Sequence, residues 1–406
     1  MAHTRSVDTP TATNKFGVNE LVNPQVAALL NEVVAQATGK SALAPVDTSQ
    51  FVSVAQSALQ TGYDNVMGAI SQVISRTIFS VRPYYRKFPA LYMNEQQWGN
   101  FVRKLTAVDK PIREDDTLKV CEPGADMDMY KGCCPEVLQL NFYGQNRYSK
   151  CLKIFRDQLD VAFTGPDEFQ RFIAMLLQNV SDTVEQTHEE TARFTLTNLM
   201  GGLLTIGGAQ VVHLLTEYNA YTGGSFTAAT IKQPDNFPGF VRWMYSRVQT
   251  LSNRLTERSY LYHQNITGKE VARHTPKEYQ GVYILDEFVS QMESMVLSNT
   301  FNDSFLRLPA FERVGFWQSI QDPDAIDITP VYMDNTGALQ SPAAPVQQEN
   351  IVGLIIDKEA AGYTVINQWS APTPFNARGG FTVNWWHWVD RYVNDFTENA
   401  VVLVLD

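Results

Sequence analysis

The chain has 406 residues, a hydrophobic fraction of 44%, a charged fraction of 18% and a formal net charge of −11. This length is sufficient for two or three lobes, and the composition is that of a globular protein. A dedicated nucleic-acid binder neutralises phosphates with Lys and Arg and is therefore basic, so the acidic balance argues against that class.

Neither secretion nor membrane insertion is indicated by the sequence. Residues 1–14 are polar and lack the apolar core of a signal peptide. The most apolar mid-chain stretch, residues 201–215, is too short to cross a bilayer and contains Gln210 and His213. We therefore expect a protein that is made in a cytoplasm and has no membrane partner.

Residues 1–77 are predicted to form an arm with helical segments. Residues 1–20 mix Thr, Ser, Pro and charge without apolar periodicity, so they can become ordered only against another surface. Pro24 opens a helical pattern that ends near Gly39, and a second helical pattern begins at about residue 49.

Residues 78–135 alternate strand-like pieces with polar, turn-forming segments, which predicts a projecting hairpin without a core of its own. The strand-like pieces are residues 79–85, 90–93 and 101–108. A solvated loop is the alternative interpretation. Candidates for contact with an adjacent subunit are Trp98, Arg103, Lys104, Lys110, Arg113, Glu114, Asp115 and Asp116.

Two strands are predicted next, at residues 136–143 and 147–155. The intervening Gly144-Gln145-Asn146 has the composition of a tight turn, so we expect the two strands to pair as a hairpin.

A long helix is predicted from about residue 167 to about residue 200. It begins at Gly165-Pro166-Asp167-Glu168, where an early proline and two acids suit a helix N-terminus. Gly201-Gly202 is the predicted stop. At 1.5 Å per residue this helix spans about 50 Å, far more than an average helix, which is typical of a beam that braces a flat layer.

The rest of the chain mixes helix and strand. A helix is expected over 237–258, a strand over 281–285 and a Pro- and Ala-bearing loop over 336–349. Four strands are expected near the end, over 351–356, 363–366, 380–388 and 400–405. Alternation along the strand at 380–388 places Trp386 and Trp388 on one face and Trp385 and His387 on the other, and we expect one of these two faces to be core.

No arrangement of residues typical of catalysis or metal binding is present in the sequence. His188-Glu189-Glu190 lacks the second histidine of a zinc protease, because position 192 is Ala. The six histidines do not cluster, and the four cysteines lack the paired spacing of a zinc site. We therefore predict no catalytic, cofactor or metal site, and thiols that stay reduced.

The order of elements resembles that of the major capsid proteins of tailed bacteriophages, which have the Hong Kong 97-type fold. Three short stretches carry the resemblance most closely: residues 163–173 (FTGPDEFQRFI), 351–362 (IVGLIIDKEAAG) and 389–402 (VDRYVNDFTENAVV). The architectural match covers about residues 78–406.

The resemblance implies an α+β fold with five parts: an N-terminal arm (1–77), an extended E-loop region (78–135), a peripheral domain with its spine helix (136–205), an axial domain (206–368) and returning strands of the peripheral domain (369–406). It also implies self-assembly into pentamers and hexamers of an icosahedral shell in the virion. Such a shell encloses double-stranded DNA without sequence-specific binding and uses no cofactor. Its partners are a portal protein and, where assembly requires them, scaffold or decoration proteins.

Three other functions remain open at the level of sequence. A nanocompartment shell protein of the encapsulin type shares the same fold and encloses enzymes. Another virion component, such as a portal or tail protein, and a soluble hydrolase with carboxylates scattered along the chain are further alternatives.

Overall fold

The computed structural model describes residues 87–93, 101–108, 134, 136–143, 145–162, 166–290 and 311–406, together with the isolated positions 35 and 66. The predicted N-terminal helices and the strand-like piece at 79–85 lie outside these residues.

The described part of the chain contains both helices and strands along its whole length. The helices are α1 (Arg156–Ala162), α2 (Pro166–Ile206), α3 (Leu214–Thr222), α4 (Ala228–Ile231) and α5 (Phe237–Leu255). The strands are β1 (Phe101–Ala107), β2 (Val137–Tyr143), β3 (Asn146–Phe155), β4 (Val211–His213), β5 (Gln280–Leu285), β6 (Phe311–Val314), β7 (Ile326–Ile328), β8 (Tyr332–Met333), β9 (Leu339–Gln340), β10 (Val346–Gln348), β11 (Ile351–Asp357), β12 (Ala361–Pro372), β13 (Phe381–Asn394) and β14 (Ala400–Val404).

A five-stranded mixed sheet, in the order β4-β14-β11-β5-β6, forms the centre of the core. Every residue of β11 and β14 is buried, because side chains on both faces of these strands meet other apolar groups. A strand that is buried on both faces has apolar residues at nearly every position, and the sequences IVGLIID and AVVLV have this pattern. The amphipathic helix α5 joins the same core through residues such as Phe240 and Met244.

A second, three-stranded antiparallel sheet has the order β12-β13-β3. The long helix α2 packs on one face of it. His188 of α2 stacks on Tyr363 of β12 with ring centroids 6.2 Å apart, and Phe194 of α2 meets Tyr392 of β13 edge-on at 5.4 Å. The sheet and the long helix therefore form a two-layer unit.

The predicted hairpin at 136–155 is wrong in its pairing, although both strands exist with nearly the predicted bounds. β2 pairs with β1 from Val137↔Ala107 to Tyr143↔Phe101, and β3 pairs with β13. The two strands belong to different sheets. A short turn sequence favours local pairing, but β3 gains ten cross-strand pairs with β13, and such pairs outweigh one turn.

The predicted stop of the long helix at Gly201-Gly202 is also wrong, because α2 continues to Ile206. Both glycines lie inside the helix, where they allow other chain segments to approach closely. A Cβ on Gly201 would lie 2.9 Å from the Ile328 side chain, and one on Gly202 would overlap the Phe396 ring. Packing against these side chains offsets the low helix propensity of glycine.

Most other local predictions are confirmed with shifted bounds. The helix expected over 237–258 is α5, the strand expected over 281–285 is β5, and residues 101–107 form β1. The four C-terminal strands are present, and β12 and β13 are longer than expected. Two predictions need correction: residues 89–91 form a 3-10 turn instead of a strand, and the loop expected over 336–349 contains β9 and β10.

Alternation along β13 is confirmed. Trp386 and Trp388 are buried on the face that meets α2, whereas Trp385 lies on the opposite, exposed face. Trp388 also stacks on Tyr148 of β3 at 5.8 Å.

Candidate assembly site

The antiparallel pair β1–β2 is the described stem of the predicted projecting hairpin. Val102, Lys104 and Thr106 of β1 are half-buried, whereas Arg103 and Leu105 are exposed. On β2, Leu138 is buried against the body of the protein. One face of the stem therefore lies on the subunit, and the other face points away from it.

Lys104 joins the stem to the turn that follows β13. Its Nζ donates hydrogen bonds to Asp395 Oδ2 at 2.9 Å and to Glu398 Oε1 at 2.6 Å. The Asp395 and Glu398 side chains are almost completely buried. Glu359 Oε2 lies 3.1 Å from the same nitrogen but is largely exposed, so water screens its contribution.

Arg273 completes this cluster from a third chain segment. Its Nη1 lies 3.0 Å from Glu398 Oε1, and its Nε donates to the Thr397 carbonyl oxygen at 3.2 Å. Its Nη2 donates to Thr106 Oγ1 on β1 at 3.3 Å. Two cations and two buried carboxylates thus hold the stem at one angle to the body.

The electrostatics of the cluster follow from its burial. Burial alone would lower the pKa of the Lys104 ammonium, but the charges of Asp395 and Glu398 outweigh burial and raise it above its ordinary value. Burial raises the pKa of Glu398, and the positive charge of Lys104 opposes that change. The lysine is therefore held firmly in its charged form.

The turn that presents the two carboxylates has its own internal bonds. Asp395 Oδ1 accepts from the Thr397 amide at 2.9 Å and from Thr397 Oγ1 at 2.6 Å, as aspartates in tight turns commonly do. Asn399 Nδ2 donates to Thr275 Oγ1 at 3.1 Å. The sequence DFTEN is thus a rigid corner that leads into β14.

The long helix supplies polar contacts to both neighbouring layers. Lys150 Nζ of β3 donates to the Asn179 carbonyl oxygen at 3.1 Å. Asn198 pairs with the Val331 backbone in both directions, at 3.1 Å and 2.9 Å. His188 Nδ1 lies 3.3 Å from Asp390 Oδ2, and both side chains are buried. These contacts fix the register of α2 against the strands around it.

Of the predicted contact residues, Arg103 and Lys104 are described. Arg103 is exposed on the outer face of the stem, and Lys104 is turned inward into the charged cluster. The other six candidates lie outside the described residues: Trp98, Lys110, Arg113, Glu114, Asp115 and Asp116.

Sequence reasoning missed Asp395, Glu398 and Arg273. Two acids three residues apart after a long strand were the available signal, but nothing local links them to residue 104.

The described residues contain no group of three or more His, Cys, Asp or Glu side chains that could hold a metal ion. None of the described helices is long and apolar enough to cross a membrane. The thiol of Cys151 is free and exposed on β3. The side chains of the Lys104 cluster interact through ion pairs and hydrogen bonds.

Solved structures with the same fold come from phage particles. The capsid of Staphylococcus phage Andhra matches with a TM-score of 0.50 and 11% identity, over 79% of this chain and 84% of that one. A chain from the structure of the head fiber and inner core protein gp22 of native bacteriophage P68 matches with a TM-score of 0.51 and 13% identity, over 79% and 85%. The mixed α+β fold is thus one that phage capsid structures contain.

Sequence comparison gives the family of this chain and, with it, the class of protein. Residues 26–404 match the family described as Phi29-like phage major capsid protein, and the chain belongs to that family. No curated protein sequence matches the chain. The prediction of a major coat protein is confirmed. A phage capsid protein is located in the virion.

Proposed function

We propose that this major capsid protein assembles as pentamers and hexamers of an icosahedral shell that encloses double-stranded DNA. The family match over residues 26–404 carries this proposal. Rings arise when each copy offers two different surfaces that meet head to tail and close by rotation. The net charge of −11 fits a wall that surrounds DNA without binding its sequence.

We further propose the Hong Kong 97-type arrangement for the subdomains. In it, α2 is the spine helix of a peripheral domain built on β12-β13-β3, and the five-stranded sheet with α5 belongs to the axial domain. The β1–β2 stem is the base of the E-loop. The support for this is that the stem is anchored by Lys104 while its outer face remains exposed.

On this arrangement the candidate residues of the hairpin contact an adjacent copy: Trp98, Arg103, Lys104, Lys110, Arg113, Glu114, Asp115 and Asp116. Lys104 would act through the stem that it positions. The protein works by assembly and carries out no catalysis. Its further partners are a portal and, where assembly requires them, scaffold or decoration proteins, and it is made in the host cytoplasm.

Electron microscopy of the purified protein and of purified virions tests the proposal. We expect closed shells with five- and six-fold capsomers, and double-stranded DNA inside virion shells. A chain that stays at its monomer mass of 45.7 kDa at all concentrations and salt conditions would contradict it. Shells that contain only protein would favour the nanocompartment alternative.

A further inference from the structure

Residues 87–93 cross from one sheet of the subunit to the other, and we call this segment the clasp. At its start, the Phe88 ring packs against the five-stranded sheet, with its centroid 5.8 Å from that of the Tyr283 ring of β5. At its end, the Met93 amide donates to the Tyr363 carbonyl oxygen of β12 at 2.8 Å, on the three-stranded sheet. The clasp therefore touches both sheets within seven residues.

The backbone of Phe88 is in the left-handed region, with φ 63° and ψ 48°. In the described part of the chain, Asn350 is the one other non-glycine residue with a positive φ. Asparagine tolerates this region, whereas a bulky side chain such as that of phenylalanine is disfavoured in it. Backbone strain of this kind persists only where surrounding contacts enforce it, and it is concentrated at clamps and switches. The conformation of Phe88 is thus held by its neighbours.

Two charged side chains hold Phe88 in this conformation, in addition to the packing of its ring. Glu312 Oε1 of β6 accepts from the Phe88 amide at 2.7 Å. On the side of α2, the guanidinium carbon of Arg193 lies 5.2 Å from the centre of the Phe88 ring and 3.7 Å from the centre of the Phe316 ring. Glu189 accepts two hydrogen bonds from the same guanidinium, at 3.1 Å and 2.8 Å. The contacts of Phe88 therefore extend the clasp to the long helix.

The other end of the clasp is held by single contacts. Leu91 is 2% exposed and belongs to the hydrophobic core. Tyr92 forms an isolated bridge with Tyr363, and the two rings meet edge-on at 5.7 Å. A Cβ on Gly362 would lie 2.5 Å from Met93 Cε, so the glycine leaves room for that side chain. Because β12 and β13 are paired along nearly their full lengths, far more contacts hold the sheet together than hold the clasp on it.

We propose that the clasp opens as a unit while the two sheets and α2 stay folded. Opening relieves the backbone strain at Phe88 and breaks the contacts of the clasp alone. In the closed state, the chain before the clasp is attached at Lys87, next to the Phe88 amide on β6. In the open state it is attached beyond Met93, so the attachment point can move by up to about 25 Å, the reach of seven extended residues. The clasp thus sets where residues 1–86 join the body of the subunit.

Hydrogen exchange of the dissociated full-length chain, followed by mass spectrometry, tests the clasp directly. The amides of Phe88, Leu91, Tyr92 and Met93 all donate hydrogen bonds, so they are protected while the clasp is closed. We expect the peptide that covers 87–93 to exchange at least about tenfold faster than peptides from β11 and β14 in the central sheet. Exchange of the clasp in step with β11 and β14 would overturn the proposal, since the clasp would then open only when the whole chain unfolds.

Phe88→Ala removes the ring and should make the clasp peptide exchange at least about tenfold faster than it does in the parent. Phe155→Ala is the matched control, because it removes an identical ring from an exposed position on β3, and it should leave exchange of the clasp unchanged. Equal exchange in the Phe88→Ala variant and the parent would contradict the proposal. If Phe88→Ala does not fold, the comparison of the clasp with β11 and β14 in the parent decides.

Phe88→Gly tests the backbone strain separately from the ring. Glycine adopts the left-handed region without a steric penalty, whereas alanine does not. The clasp of the Phe88→Gly variant should therefore exchange about fivefold more slowly than that of Phe88→Ala. Exchange in the glycine variant that is as fast as in the alanine variant would overturn the strained clasp. Since all three measurements use the dissociated chain, a failure to form shells would refute the proposed function and leave the clasp standing.

Discussion

Lys104 and Glu398 are 294 residues apart in sequence, yet Lys104 Nζ lies 2.6 Å from Glu398 Oε1. Together with Asp395, this ion pair joins the β1–β2 pair to the corner before the last strand. In the proposed assembly, neighbouring copies meet the stem, so its angle to the body of the subunit has to be fixed. The Lys104 cluster is a device that sets this angle within one chain.

Replacing Lys104 with Met should destabilise the dissociated chain by about 3 kcal/mol, because buried Asp395 loses its cation and buried Glu398 keeps only Arg273. Chemical denaturation followed by tryptophan fluorescence measures this. Lys153→Met is the matched control, since that lysine is exposed and has no carboxylate partner in the described ion pairs, and it should change stability by less than about 0.5 kcal/mol. Equal midpoints for the two variants would contradict the buried-cluster account.

Gly202→Ala should destabilise the chain by about 1–3 kcal/mol, although alanine favours helices. The added Cβ would overlap the Phe396 ring, which itself packs in the core. Thermal unfolding of the dissociated chain measures the effect. Gly315→Ala is the control, because nothing lies within 4 Å of a Cβ at that position. A Gly202 variant that is as stable as the control would mean that α2 and Phe396 are further apart.

Local structure was well predicted from the sequence where it depends on local patterns. The apolar steps of residues 237–255 and the continuous apolar runs of β11 and β14 identify their elements correctly. Pairing was not predictable in the same way. β3 finds its partner in β13, far away in sequence, so no neighbouring residues encode that choice.

The candidate site shows the same limit. Lys104 was singled out for its charge in a polar segment, but its two carboxylate partners come from the corner at 395–398. Gly201-Gly202 read as a helix stop because glycine is a poor helix former. Only the approach of Ile328 and Phe396 explains why the helix continues through them.

His263 should make stability fall on mild acidification. Burial lowers its pKa below the ordinary value of about 6.5. Between those two values the unfolded chain binds the proton and the folded chain does not, so stability decreases as pH falls through this window. The slope from one proton is at most about 1.4 kcal/mol per pH unit.

Urea denaturation of the dissociated chain at pH 7.5, 6.5 and 5.5 measures this effect. His263→Gln keeps a polar side chain near Asn399 and Val271 and removes the titration, so its stability should change less over the same range. Parallel curves for the parent and the Gln variant would show that His263 is not responsible.

The buried contact between His188 and Asp390 should couple the long helix to β13. Nδ1 of the histidine is 3.3 Å from the carboxylate, and neither side chain is exposed to solvent. We expect His188→Phe, which preserves the stacking on Tyr363, to destabilise the chain by about 3 kcal/mol, because the Asp390 carboxylate then lies buried without the imidazole beside it.

Asp390→Asn removes the buried negative charge. The variant that carries both substitutions should therefore be more stable than the sum of the two single effects predicts. The double-mutant cycle, measured by urea denaturation, should give a coupling energy of about 1–3 kcal/mol. Strict additivity would show that the two residues are neighbours without an energetic link, and that α2 is held on the sheet by apolar packing alone.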